Sequence, residues 1–395
     1  MKIIHTSDWH IGQVFNFHYD RQEEHQFFFD QLKGFVEDER PDALLVSGDV
    51  FDKSTPGNTS MRFFYDNILE LVKAAPDTTF VITSGNHDSS SRLETDNGVW
   101  KLHNAHLVGA VEREDDTYLF DKHIIELKDK GFIVAVPYLQ GYNSDFYNLI
   151  LDEVEKRNSD NLPVILMAHT TIGDSDFGSH ETSNFNGLLS VGGINCLKLS
   201  AINDKYDYLA LGHIHTPQTL ANGKARYCGS PVQINFKESF QHSVSLVSVG
   251  EHGEKPVIKE LPLKPLKRFY TIPANPKPLD EALKTLQLNL PEEPGYVQLN
   301  ILADGPLLAD TENRIRNVLE SNKDLLYCEF KVTRPDNNTN DVRTMPDLSL
   351  SSFKEKDPVS IATNYFETVY KHEMDESLVK LLQSVVQEVR NEISK

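Results

Sequence analysis

Short apolar runs recur through the first two-thirds of the chain, at residues 43–46 (ALLV), 80–82 (FVI), 132–136, 164–167 and 208–211. Several are rich in β-branched residues and end at glycine or a polar residue, the pattern of strands buried on both faces. Between them, residues 21–37 and 59–73 place apolar side chains at helical spacing. Alternating strands and helices predict α/β layering. The pattern breaks at residues 261–268 (LPLKPLKR), where two prolines and three cations mark a boundary. A smaller α/β unit follows, with strands predicted at 269–272, 296–301 and 326–332 and helices at 279–288 and 311–321.

Residues 334–358 are rich in Asn, Asp, Ser and Pro and read as a linker. The tail then turns helical, with Leu378, Leu381, Leu382, Val385, Val386, Val389 and Ile393 on one face. That face either packs on the chain's own domain or docks a partner. The expected organisation is a main domain at 1–265, a cap at 266–335, a linker at 336–358 and a helical tail at 359–395.

Composition adds limits. The 395 residues suffice for about two or three domains, and 39% apolar with 25% charged residues is ordinary for a soluble globular protein. The start, Met1-Lys2-Ile3-Ile4, carries no signal-peptide pattern, and no run approaches the ~18 apolar residues of a membrane span. The three scattered cysteines, Cys196, Cys228 and Cys328, fit a reducing cytoplasm. The formal charge of −20 opposes DNA binding unless the charge is uneven, metals neutralise the site, or a partner supplies basic surface.

The chemistry sits where strand candidates end. Residues 2–4 run into Asp8 and His10, 44–46 into Gly48 and Asp49, and 81–82 into Gly85, Asn86, His87 and Asp88. Residues 166–167 run into His169, and 209–211 into Gly212, His213 and His215. In α/β proteins ligands gather beyond the carboxyl ends of strands, so these distant residues can converge. Oxygen and imidazole donors without thiolate suit catalytic manganese, iron or zinc. Two metals need a shared ligand, and Asp49, beside Gly48 on a middle strand, is the expected bridge. Taken singly, Asp8-x-His10 arises by chance, 85–88 could be a turn, and His169 could be a satisfied core histidine. Their joint occurrence carries the reading.

These blocks resemble the calcineurin-like metallophosphoesterases, whose pattern is D-x-H, G-D, G-N-H-D or G-N-H-E, H and G-H-x-H. The words at 5–12 (HTSDWHIG), 48–52 (GDVFD), 85–89 (GNHDS), 211–215 (LGHIH) and 227–231 (YCGSP) bring the chain closest to the SbcD nucleases. These are the bacterial counterpart of the archaeal and eukaryotic double-strand-break repair nuclease. The resemblance is strong over about residues 1–240, and it implies two facing β-sheets flanked by helices, with a cap and a tail. It implies one divalent metal on Asp8, His10, Asp49 and His215, and a second on Asp49, Asn86, His169 and His213, with Mn2+ the expected ion. It places His87 beside the scissile phosphate, with Asp88 orienting His87. Archaeal and eukaryotic relatives often carry His where Asp52 stands, so Asp52 is left out of the expected site. The resemblance further implies 3′-to-5′ exonuclease activity on duplex DNA ends and endonuclease activity on single strands or hairpins. The implied partners are the ATPase SbcC, meeting the tail at 376–393, and a second copy of the chain through helices near 59–73 and 89–103.

Two alternatives stay open. A phosphatase or small-molecule phosphodiesterase could use the same site, although such phosphatases usually carry Arg where Lys53 stands and G-N-H-E where this chain has Asp88. A non-catalytic scaffold of the same fold is the third reading, and no ligand has been lost here in the way a scaffold predicts.

Overall fold

The central strands of the main domain alternate between two buried faces, and that alternation builds four layers. In this computed structural model, one six-stranded sheet runs Val257–Pro262, Ser243–Ser248, Lys2–Thr6, Ala43–Ser47, Thr79–Thr83, Ala105–Val108. The other runs Gln218–Leu220, Ala225–Tyr227, Tyr208–Gly212, Val164–His169, Gly131–Ala135, Ile124–Leu127. Residues 1–334 are described except 96, 116, 140–143, 173–196, 306 and 308–309, together with 359, 363, 366 and 374–393.

Ile3, Leu45 and Val81 of the first sheet meet Ile133, Ile165 and Ala210 of the second in one apolar layer. The opposite face of the first sheet, including Ile4, Leu44 and Phe80, packs on Gln22–Glu39 and Asn58–Ala74. The opposite face of the second packs on Ser144–Arg157. The central strands are therefore apolar throughout, as the sequence pattern required. Ser243–Ser248 and Val257–Pro262 escape that pattern because polar residues alternate with their apolar ones, and both pair antiparallel at the sheet margin.

The smaller unit is a parallel three-stranded sheet, Arg268–Lys277, Gly295–Leu302 and Leu325–Thr333. Val297, Leu299 and Ile301 of its central strand face Leu279–Leu288 and Thr311–Leu319. Period-two geometry turns Tyr296, Gln298 and Asn300 to the other face.

The chain divides into two compact units, Met1–Pro335 and Asp336–Lys395. The expected linker at 336–358 lies outside the described residues. In the second unit the tail helix spans Glu376–Ile393.

Candidate metal centre

The parallel strands Lys2–Thr6, Ala43–Ser47 and Thr79–Thr83 end on the same edge of the first sheet. Val164–His169 and Tyr208–Gly212 do so in the second. The two edges touch: Ser47 Oγ donates to the Ala210 carbonyl at 3.0 Å, and His169 Nδ1 donates to the Ser47 carbonyl at 2.8 Å. Gly48 allows this approach, since a Cβ there would lie 2.2 Å from His169 Nδ1. The loops beyond the strands interlock, with Asp8 N–H on the Gly48 carbonyl and His10 N–H on the Asp49 carbonyl, both at 3.0 Å.

This convergence makes two groups that share Asp49. One donor atom from each of Asp8, His10, Asp49 and His215 lies within 4.8 Å of the others, and the same holds for Asp49, His169 and His213. Asn86 completes the second group, its Oδ1 3.0 Å from His169 Nε2 and 2.9 Å from His213 Nδ1. All seven expected ligands are thus brought together. Asp8, His10, Asp49 and His213 hold positive φ values, which side chains rarely adopt outside a site that over-determines them.

A metal fits these donors. His10 Nε2 and His215 Nε2 face each other at 3.1 Å. Metal–nitrogen bonds of about 2.0–2.1 Å put neighbouring ligands of one ion roughly 3.0–3.4 Å apart. Burial lowers His10 to about 4 and both His213 and His215 to about 3, which favours the neutral, ligating imidazole. Burial pushes Asp8 up to about 7. Burial would also raise Asp49, yet His169 and His10 hold it well below the usual carboxylate range. For His169, burial acts downward, but Asp49 and Asp8 lift it to about 9. The buried carboxylates thus draw positive charge into the cluster, and a divalent cation meets the same demand. The Nδ1–H bond of His169 to Ser47 fixes the tautomer that leaves Nε2 as the ligating atom.

His87 stands at the mouth of the centre, its ring 5.0 Å from that of His10. Its N–H donates to Asp49 Oδ1 at 2.8 Å, and its Nδ1 donates to the Asp52 carbonyl at 2.9 Å. The expectation for Asp88 needs correcting. Its carboxylate accepts the backbone N–H groups of Val50 at 3.0 Å, Phe51 at 2.8 Å and Gly85 at 2.8 Å, so it clamps two ligand loops together instead of orienting the His87 ring. Asp52, left out of the expected site, holds that ring through its carbonyl. Its carboxylate also lies 3.8 Å from His10 Nδ1. Its place four residues after Gly48 was the available signal.

The centre opens into a cleft of about 690 Å³ shared with the cap, where Gln298 and Glu329 face the metal ligands. At the cap's near end Lys267 pairs with Glu23 at 3.5 Å, and Arg268 pairs with Glu293.

Residues 1–217 match the family described as calcineurin-like phosphoesterase. The chain is 31% identical over 338 residues to the SbcD subunit of the nuclease SbcCD from Rhodobacter capsulatus, covering 78% of this chain and 82% of that protein. It is 26% identical over 341 residues to the SbcD subunit from Escherichia coli, covering 81% and 82%. With the SbcD subunit from Staphylococcus epidermidis it shares 27% identity over 286 residues, covering 69% and 72%.

Proposed function

The chain belongs to the calcineurin-like phosphoesterase family and, within it, to the SbcD subunits of the SbcCD nuclease, and from that premise we propose that this metal-dependent nuclease degrades duplex DNA ends 3′ to 5′ and cuts single-stranded or hairpin DNA together with the ATPase SbcC. The observation that carries this reading is the pair of Asp/His groups meeting at Asp49.

Asp8, His10, Asp49 and His215 would hold one divalent ion, and Asp49, Asn86, His169 and His213 the other, with Mn2+ the expected metal. When bound, the ions supply Lewis acidity at the scissile phosphate and ease the deprotonation of water near neutral pH. The protein's own groups do the rest. His169 is locked by Ser47 and cannot turn away from the centre. His87, fixed at Nδ1 by Asp52, presents Nε2 to the substrate, where it can pass a proton to the leaving sugar oxygen. Asp88 keeps the loops at 50–51 and 85–88 in register.

The tail helix Glu376–Ile393 is the proposed SbcC dock, with Leu378 and Leu381 exposed on its apolar face. Homodimerisation would use Asn58–Ala74 and the short helix Asn97–Lys101, near which Val99 and Leu102 stand exposed. A basic surface on the partner would offset the charge of −20. The proposed setting is the cytoplasm; among the described residues no helix is long and apolar enough to cross a membrane.

The test is an end-labelled linear duplex incubated with manganese, alongside a chelator control and His87→Gln. Progressive shortening that both controls abolish supports the reading. Turnover of a small aryl phosphodiester by a chain that leaves DNA intact, with or without SbcC, refutes it.

A further inference from the structure

The metal centre opens on two sides. One is the cleft beneath the cap. The other is a second cleft of about 480 Å³, lined by Tyr138, Tyr118, Arg113, Ser90 and Gly109 and by no residue of the cap. Asn86 lines both, so the second cleft reaches the metal centre at that ligand.

In-line displacement at phosphorus puts the attacking and leaving oxygens on opposite sides. A phosphodiester carries a nucleoside on each of its two ester oxygens, so a strand cut in mid-chain extends from the centre in two directions. The volume lies within the range that takes a small organic ligand.

The lining chemistry fits a base better than a phosphate. Tyr138 is 37% exposed and presents its ring beside the centre, 6.2 Å from the His169 ring. Its N–H is fixed on the Ser84 carbonyl at 2.9 Å. Across the cleft the Arg113 guanidinium lies 4.1 Å from the centroid of the Tyr118 ring and bonds its hydroxyl, giving a flat cation–aromatic surface. Aromatic faces with one guanidinium are the usual platform for unpaired bases. The wall between them is built in advance. Glu94 accepts the N–H groups of Gly109 at 2.6 Å and Ala110 at 3.1 Å, and Lys122 neutralises it at 2.9 Å.

We infer that this second cleft seats the nucleoside next to the scissile phosphate on the side away from the cap, its base stacking on Tyr138 or on the Arg113–Tyr118 pair. The inference rests on the nuclease reading and specifies how that site holds its strand. An unpaired base fits such a seat and a paired one does not, so the cleft would favour single-stranded or frayed DNA.

The test uses the full chain with manganese, a single-stranded oligonucleotide, and the small diester methyl 4-nitrophenyl phosphate, which carries a ring on only one of its ester oxygens. The readout is the ratio of kcat/KM on the oligonucleotide to that on the small diester. Tyr138→Ala and Arg113→Ala should each lower this ratio about tenfold, mainly through KM on the oligonucleotide. Tyr138→Phe should restore it. An abasic residue beside the cut should lower the wild-type ratio and erase the difference from Tyr138→Ala. An unchanged ratio in both alanine variants overturns the inference while leaving the nuclease reading intact. A wild type that hydrolyses the diester but no oligonucleotide overturns the nuclease reading, and this inference with it.

Discussion

Tyr296 of the cap donates its hydroxyl hydrogen to Glu24 of the first helix at 2.6 Å, in a fully buried contact. Glu24 in turn accepts from Arg21 through both carboxylate oxygens. The Arg21 guanidinium lies 5.5–5.7 Å from the ring centroids of Phe15, Phe269 and Tyr296 and donates to Gln13 and to the Gln233 carbonyl. One buried ion pair therefore ties the cap to loops that line the metal cleft. Arg21→Ala leaves Glu24 buried with its charge partner gone, and should cost about 3–5 kcal/mol. Tyr296→Phe should cost about 1–2 kcal/mol, because Arg21 still pairs Glu24. Urea denaturation of the metal-loaded chain checks both, and equal small losses would show that the pair is not what seats the cap.

Asp49 is common to both donor groups. Asp49→Asn should lower the bound metal from two ions per chain toward none, measured by elemental analysis after dialysis. Because metal binds the folded state and not the unfolded one, chelation should lower the thermal midpoint of the wild type. The Asn variant should show little of that response. A variant that keeps one tight ion would mean that the two groups work independently.

His87 and Asp88 are neighbours with separable roles. His87→Gln should lower kcat by about 10²–10⁴-fold while metal content and DNA affinity hold. Asp88→Ala frees three backbone donors and should cost about 2–3 kcal/mol of stability. The denaturation midpoint separates them, since it should move for the Asp88 variant and stay for His87→Gln.

His5 offers a pH test away from the metal ligands. Its Nδ1 lies 2.9 Å from the Tyr208 hydroxyl across the two sheets. Burial, aided by the Arg226 guanidinium, lowers it to about 3. The unfolded chain therefore takes up this proton first as pH falls. The stability contribution is whole above about pH 6.5 and is lost as pH drops toward 3. Relative to His5→Asn, the wild type should lose at most about 1.4 kcal/mol per pH unit in that window. A difference that stays flat from pH 7 to 4 would mean that the ring takes up its proton as readily in the fold as in the unfolded chain.

The sequence by itself located the seven ligand candidates, because each lies at or shortly beyond the end of an apolar run and strand ends are set by local pattern. Periodicity, a property of a single segment, also showed the two helices on the outer face of the first sheet and the cap's alternation of strands and helices, but not Ser144–Arg157 on the second sheet. It did not settle which polar group meets which. Asp88 and His87 are adjacent, yet the Asp88 carboxylate turns to the N–H groups of Val50, Phe51 and Gly85 while the His87 ring turns to the Asp52 carbonyl. That choice depends on how the ends of parallel strands are aligned across a sheet. The meeting of His169 with Ser47 depends on how two sheets stack, and the burial of Arg21 on how the cap sits over the first helix. Residues far apart in sequence take their partners from the packing of whole layers, and only the tertiary structure fixes those directions.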